Sequence, residues 1–400
     1  MLHDEIIALM RVLMFVPQYP YPVVGGLEKQ SHELSKALVA EGIDVKVISG
    51  KILQNQPNDE VVEGVPVKRI PWSKFKLIRF LRTPVDIFLS LLHSHGSYDL
   101  IHLHQQSWVG LYVILIAKLL GKPIITKLPG VGNFGLPGLR RQRFGWLRLR
   151  ILLQSDALIA MSAESFAELK DVGYSQDRVL LTPNGIVLNK ILVPILNNEK
   201  FMDHCRVVFV GRLCEGKQLH ILLDAWAGLC NDSMHNAILE IWGEGPLENE
   251  LKQQSKKLCI ASRVIFRGHV ENVTDRLKDM DIFVLPSSSE GNSNAILEAM
   301  AAGLPIVSTL VGGTPMLVGD AGLPYLCPSG DIGALGSLLR RFIKDQNLRI
   351  ATGLEMRHRA ETYFDIQRVA QTYIKAYRVL ALRQQGCLGD VGNPVVMQGT

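Results

Sequence analysis

The sequence predicts an α/β protein of two domains, each an alternation of strands and helices around a mostly parallel sheet. Three observations lead there. Short runs rich in Ile, Val and Phe alternate with segments whose apolar residues recur at helical spacing, the pattern of strand–helix units. The two halves share this plan, although no internal sequence repeat relates them. Four hundred residues, 47% of them hydrophobic, suffice for two cores of ordinary size. The expected division is a first domain over 1–190, a second over 191–364, a closing helix over 365–384 and a disordered tail over 385–400.

In the first half, residues 12–16 read as a strand running into the loop PQYPYPVVGG, followed by a helix over 27–41 and a strand over 44–49. Gly25 and Gly26 stand where backbone amides could approach a phosphate at the helix start; a simple turn would use them equally well. Residues 66–71 form the next expected strand and 98–104, YDLIHLH, another, on which His102 and His104 share a side. That spacing could serve a metal, but no Cys, Asp or Glu with ligand spacing joins the pair, and none is expected. A buried helix over 109–120 precedes the strand and loop at 123–130; 156–161 is a further strand, leading through Ser162 into a helix over 163–172. PNGIV occupies 183–187, and 191–204, without a clear period, reads as the linker.

The second half opens with a strand over 206–211, a loop carrying Arg212 and Lys217, and a helix over 218–229. On such a loop two cations face the place where an open sheet binds its ligand, although loops are also commonly basic and solvated. A strand over 237–245 ends in GEG, a helix spans 247–258, and VIFRGHV at 264–270 supplies a strand and a turn with His269. Asp279 and Asp281 form a D-M-D that precedes a buried strand instead of following one, the wrong context for a metal pair. Then comes DIFVLPSSSEGNSNAILEAMAAG at 281–303. Its buried strand stops at Pro286, Ser293 suits an N-cap, and a strong helix former over 294–302 ends at Gly303. Glu290 falls in the loop and Glu298 on the first turns of the helix, so two carboxylates could converge beside amides able to receive a phosphorylated ligand. Taken singly, a loop Glu is usually solvated and an early helical Glu merely suits the macrodipole. A strand over 305–309, the turn VGGTP at 311–315 and helices over 334–344, 347–364 and 365–384 complete the chain.

Glu290, seven intervening residues and Glu298, with GNSN between and EAMAAGLPIV after, resemble the donor-site signature of retaining glycosyltransferases of family 4, which have the GT-B fold. The resemblance extends to about Gln384 and is strongest from Val208 to Pro315. It implies two Rossmann-like domains facing across a cleft, a C-terminal helix crossing back to the first, and donor binding mostly on the second. The implied reaction moves a sugar from a nucleoside diphosphate-sugar to an acceptor hydroxyl with retention of configuration, without metal or other cofactor. Arg212 and Lys217 would hold the diphosphate and Glu298 the ribose. Glu290 with Gly291, Asn292, Ser293 and Asn294 would hold the transferred sugar. Thr314 would lie in a second diphosphate-facing loop, His269 beside the base, Gly25 and Gly26 near donor phosphates and acceptor, and His104 near the cleft as a catalytic candidate. Three positions depart from the pattern: Leu128 and Pro129 stand where many members have a His, Val187 replaces the Asp of PNGID, and Met316 replaces a Glu.

Six scattered cysteines without C-x-x-C pairs argue against a zinc ribbon or disulfide framework and fit a reducing, cytoplasmic setting. The opening MLHDEII is acidic where a secretory signal would be basic, and no apolar run reaches the roughly 20 residues of a membrane span. Charge is uneven: from Pro66 to Gln154, 14 Lys and Arg face two Asp, a balance of +12. Two stretches there, 72–92 and 139–153, interleave basic with aromatic and aliphatic residues. Each fits a core-facing helix with solvated Arg, or an anionic membrane surface at which a glycan or lipid-linked acceptor is met; no nucleic-acid motif accompanies them. Two rival functions share the fold: a nucleotide-sugar epimerase, and a catalytically silent scaffold for glycans or protein partners.

Overall fold

In the computed structural model, which describes residues 10–20, 25–51, 53, 55–72, 76–104, 107–128, 130–188, 205–231 and 237–384, the apolar runs become two separate sheets. Two units result: residues 10–185 with the helix Ile366–Gln384, and residues 186–365. The division falls just ahead of the boundary at 190 read from the sequence. The expected linker at 191–204 and tail at 385–400, with residues 1–9, Lys74 and Phe75, lie outside the described residues.

The first unit holds eight strands: β1 Arg11–Val16, β2 Asp44–Lys51, β3 Asp59–Val62, β4 Val65–Pro71, β5 Leu100–Leu103, β6 Ile124–Lys127, β7 Ala157–Ala160 and β8 Val179–Leu181. Their order is β3-β4-β2-β1-β5-β6-β7-β8. All pairs are parallel except β3 with β4. The central strands β5, β6 and β7 are buried throughout, which is why they read as continuous apolar runs. β3, DEVV, was not visible in the sequence because it is half charged; as an edge strand it tolerates those charges.

The second unit is wholly parallel. β9 Cys205–Val210, β10 Ala237–Trp242, β11 Val264–Gly268, β12 Ile282–Leu285, β13 Ile306–Thr309 and β14 Leu326–Cys327 stand in the order β11-β10-β9-β12-β13-β14. Strand order thus reverses between β9 and β12, as it does between β1 and β5 in the first unit. Such switch points open a crevice at the carboxyl ends of the strands.

Local chemistry sets the helix ends. Ser162, Ser293, Asp331 and Asp345 each cap a helix through the side chain. The basic stretch 139–153 is not one helix but two, Leu136–Arg141 and Gly145–Leu152. The break follows from Gly145, where a Cβ would lie 2.4 Å from the Leu139 carbonyl oxygen, and from Phe144, which turns left-handed at φ 60°. The Ile366–Gln384 helix buries Val369, Tyr373, Tyr377 and Leu380 against the Gly26–Ala40 helix and β5 of the first unit.

Candidate active site

Glu290 and Lys217 meet at the switch point of the second unit. β9 delivers the loop that carries Arg212 and Lys217, and β12 delivers the loop that carries Glu290. The Lys217 ammonium pairs with Glu290 Oε1, and Ser287 Oγ donates to that same oxygen at 2.5 Å. The pair is largely shielded from water, with side chains 22% and 10% exposed, so its attraction is weakly screened and loss of either partner would strand a charge. Glu290 Oε2 has no partner among the described residues. Arg212 is exposed, and its guanidinium likewise makes no hydrogen bond or ion pair among the described residues.

Backbone bonds fix both loops. Ser288 N–H donates to the Gly216 carbonyl at 2.9 Å, tying the Glu290 loop to the Lys217 loop. Gly313 N–H donates to the Glu290 carbonyl at 3.1 Å, and a Cβ on Gly313 would lie 2.3 Å from the Gly291 carbonyl oxygen. The helices Asn294–Ala301 and Thr314–Gly322 therefore begin in this corner, and their amino ends favour negative charge there. Beside them three strands end on glycine: β9 runs into Gly211, β10 into Gly243 and β11 closes on Gly268. Gly243 has φ 128°, and a Cβ on it would lie 2.0 Å from the Gly211 carbonyl oxygen, so this rim is bare of side chains by necessity.

The other expected residues of this unit divide. Gly291, Asn292 and Asn294 are half-buried along the Glu290 loop, and Ser293 caps the following helix through Oγ. Glu298 is nearly buried on the second turn, 6% exposed. His269 is exposed, and its N–H is engaged by Glu244 Oε1 at 3.3 Å. Thr314 is fully buried at the start of its helix, and its Oγ1 has no partner among the described residues. Ser287 and Glu244 were not singled out from the sequence. The three serines of PSSSE were the available signal, but nothing local marks the one whose hydroxyl turns inward.

In the first unit His104 directly follows β5. It lies at the β1/β5 switch point, where its N–H donates to the Phe15 carbonyl, but the side chain is 1% exposed. It stacks on His102 with centroids 4.0 Å apart, and His102 Nδ1 shares a hydrogen bond of 2.6 Å with the Tyr377 hydroxyl. Burial holds both imidazoles well below their ordinary pKa, and nearby Lys127 reinforces this. His102 thus lies against the closing helix, with His104 buried beside it. The two rings stack instead of converging on a point, and no cluster of three metal-ligating side chains occurs among the described residues. Lys127, unnoticed in the sequence, is buried with its ammonium on Asn184 Oδ1 at 2.6 Å, and burial lowers its pKa to about 7. Gly25 and Gly26 open the Gly26–Ala40 helix as exposed residues, but the Glu28 carboxylate leans over Gly25, which disfavours a phosphate at that helix end.

Residues 24–190 match the model of Glycosyltransferase Family 4, and residues 204–345 that of Glycosyl transferases group 1. A glycogen synthase of Mycobacterium tuberculosis is 27% identical over 402 residues, covering 92% of this chain and 95% of its own. An Escherichia coli UDP-Gal:alpha-D-GlcNAc-diphosphoundecaprenol alpha-1,3-galactosyltransferase is 26% identical, covering 82% and 87%. The crystal structure of Anabaena Alr3699/HepE in complex with UDP and glucose superposes with a TM-score of 0.74 at 18% identity, over 92% of this chain and all of that one. With both halves matched and both sheets in Rossmann-like order, the chain belongs to the GT-B glycosyltransferases of the family 4 type.

Proposed function

We propose that the protein transfers a sugar from a UDP-sugar to an acceptor hydroxyl with retention of configuration, in the making of a polysaccharide or glycolipid. The carrying observation is the arrangement at the β9/β12 switch point: a free Arg212, a Lys217 held by Glu290, and two helix amino ends in one corner. Departure of the nucleoside diphosphate builds negative charge on the leaving phosphate. Lys217 held in place, an Arg212 free to reach the phosphate and the helix ends stabilise that charge, ordinarily the largest catalytic contribution. In this reading the side chains supply the positive charge and no metal is required. Glu290 Oε2 and the amides of 291–294 orient the sugar, Glu298 serves the ribose, and departure and attack share one face of the sugar. UDP and a glycan or lipid-linked acceptor are chosen on the activities of the relatives named above and the UDP bound in the similar structure. Cytoplasmic residence belongs to the same reading and rests on the five cysteines among the described residues, all unpaired.

Calorimetric titration with UDP tests the donor site. Arg212→Ala and Lys217→Ala should each weaken binding by about 1.5–3 kcal/mol, the worth of a hydrogen bond to a charged group. Unchanged affinity in both variants would overturn the assignment. A screen of UDP-sugars with product analysis then tests the reaction: an elongated acceptor with the donor's anomeric configuration supports it, and an epimerised free donor refutes it.

A further inference from the structure

Of the 17 large hydrophobic side chains exposed among the described residues, ten lie between Val85 and Leu147. Exposure on that scale in one region departs from the single, scattered apolar residues of ordinary surfaces. Its sharpest part is the tip formed by the Leu136–Arg141 and Gly145–Leu152 helices. Leu136, Leu139 and Leu152 are buried, so these helices already have their core contacts. Phe134, Phe144 and Trp146 nevertheless stand 68%, 51% and 67% exposed. Phe144 does so from the left-handed region, at φ 60° and ψ 26°, where a bulky side chain is strained. Arg140, Arg141 and Arg143 are exposed on the same turn, with the Arg143 guanidinium 5.2 Å from the Phe144 ring centroid.

Neighbouring helices add further exposed apolar side chains. Trp108–Leu119 packs against Gly145–Leu152 and shows Leu115 and Leu119, the latter 75% exposed. Lys76–His93 packs against Trp108–Leu119 in turn and shows Val85, Leu89 and Leu92, one stripe at i, i+4, i+7. No helix among the described residues is long and apolar enough to cross a membrane. Aromatic and aliphatic side chains rimmed by arginine match the interface of an anionic bilayer, where rings enter the headgroup layer and cations meet lipid phosphates. A second copy fits poorly, because its matching tip would bring the exposed Arg140, Arg141, Arg143 and Arg150 against the same four, with no Asp or Glu between Gly130 and Gln154 to answer them.

We propose that the Phe134–Trp146 tip, with Arg140, Arg141 and Arg143, docks the protein on an anionic membrane surface. This inference stands on the first unit alone and does not depend on the donor chemistry.

Sedimentation with vesicles of phosphatidylcholine carrying increasing phosphatidylglycerol tests it. Wild-type protein should pellet increasingly with the anionic lipid and less as salt rises. The triple variant Arg140→Gln, Arg141→Gln, Arg143→Gln should lose roughly 100-fold in partitioning at low salt, the worth of three basic residues at such a surface. The double variant Phe144→Asn, Trp146→Ser should also partition less, and the part of binding that survives high salt should disappear. Both variants change exposed residues, and an unchanged thermal midpoint verifies that they fold. Wild-type protein that stays in the supernatant with anionic vesicles at low salt overturns the proposal. So does pelleting of both variants like wild type. If instead the double variant abolishes a self-association seen by sedimentation velocity without vesicles, a second copy covers the face and the membrane assignment is wrong.

Discussion

The two oxygens of the Glu290 carboxylate have different surroundings. Oε1 is occupied by Lys217 and Ser287, while Oε2 has no partner among the described residues. Glutamine at 290 would keep the volume and a hydrogen-bonding end but remove the charge that holds Lys217. Glu290→Gln should therefore lower kcat about 100-fold or more, as loss of a transition-state contact does, while UDP binds as tightly as before or more tightly because the ammonium is released to the diphosphate. Steady-state kinetics beside calorimetry measures both. A fall in UDP affinity as large as that of Lys217→Ala would mean that the pair itself builds the phosphate site. At this scale the sequence told much about which residues and little about their partners. Glu290 and Glu298 could be found because their motif is local, whereas Lys217 lies 73 positions from Glu290 and nothing near either marks the pairing. The burial of His102 was hidden for a similar reason: strand alternation shows that it shares a side with His104, but not that Tyr373 and Tyr377 arrive from the far end of the chain against it.

The elements were more legible than their junctions. The strand, loop and helix from Asp281 to Gly303 were readable because Pro286, Ser293 and Gly303 punctuate them, and each acts through its own backbone or side chain. The break between the two arginine-bearing helices was missed, because Gly145 is required by carbonyls of the preceding helix and not by its own conformation. Gly243 is the same kind of residue at the donor site. Its need for glycine comes both from φ 128° and from the Gly211 carbonyl at the end of the adjacent strand. Gly243→Ala should cost roughly 2 kcal/mol or more, since both the conformation and the contact are incompatible with a methyl group. Urea denaturation followed by Trp242 fluorescence would report it. A change within about 0.5 kcal/mol, the range of an ordinary surface substitution, would show that β9 and β10 can part without loss.

For the whole molecule, two cores of comparable extent were predictable from length and composition, but the ownership of the last helix was not readable from its periodicity. Ile366–Gln384 follows the second unit in the chain and completes the core of the first, burying Val369, Tyr373, Ile374, Tyr377 and Leu380. Full burial of one such side chain contributes about 1.5–3 kcal/mol, so together they match or exceed the 5–15 kcal/mol by which a domain is stable. A chain ending at Asp365 should therefore leave residues 10–185 open to limited proteolysis while 186–365 resists it. A protected first unit in that truncation would refute the argument.

That helix also sets an order of events during synthesis. The ribosome makes the strands of the first unit before any other part of the described chain, yet the segment that packs on His102 is made only after the whole second unit. Domains that emerge first generally fold first. Here the earlier sheet must wait with the apolar face beside β5 uncovered, while the later one can close as soon as β14 and its helices are complete. The nascent first unit is thus the stage at which this protein is most exposed to aggregation and most in need of a chaperone.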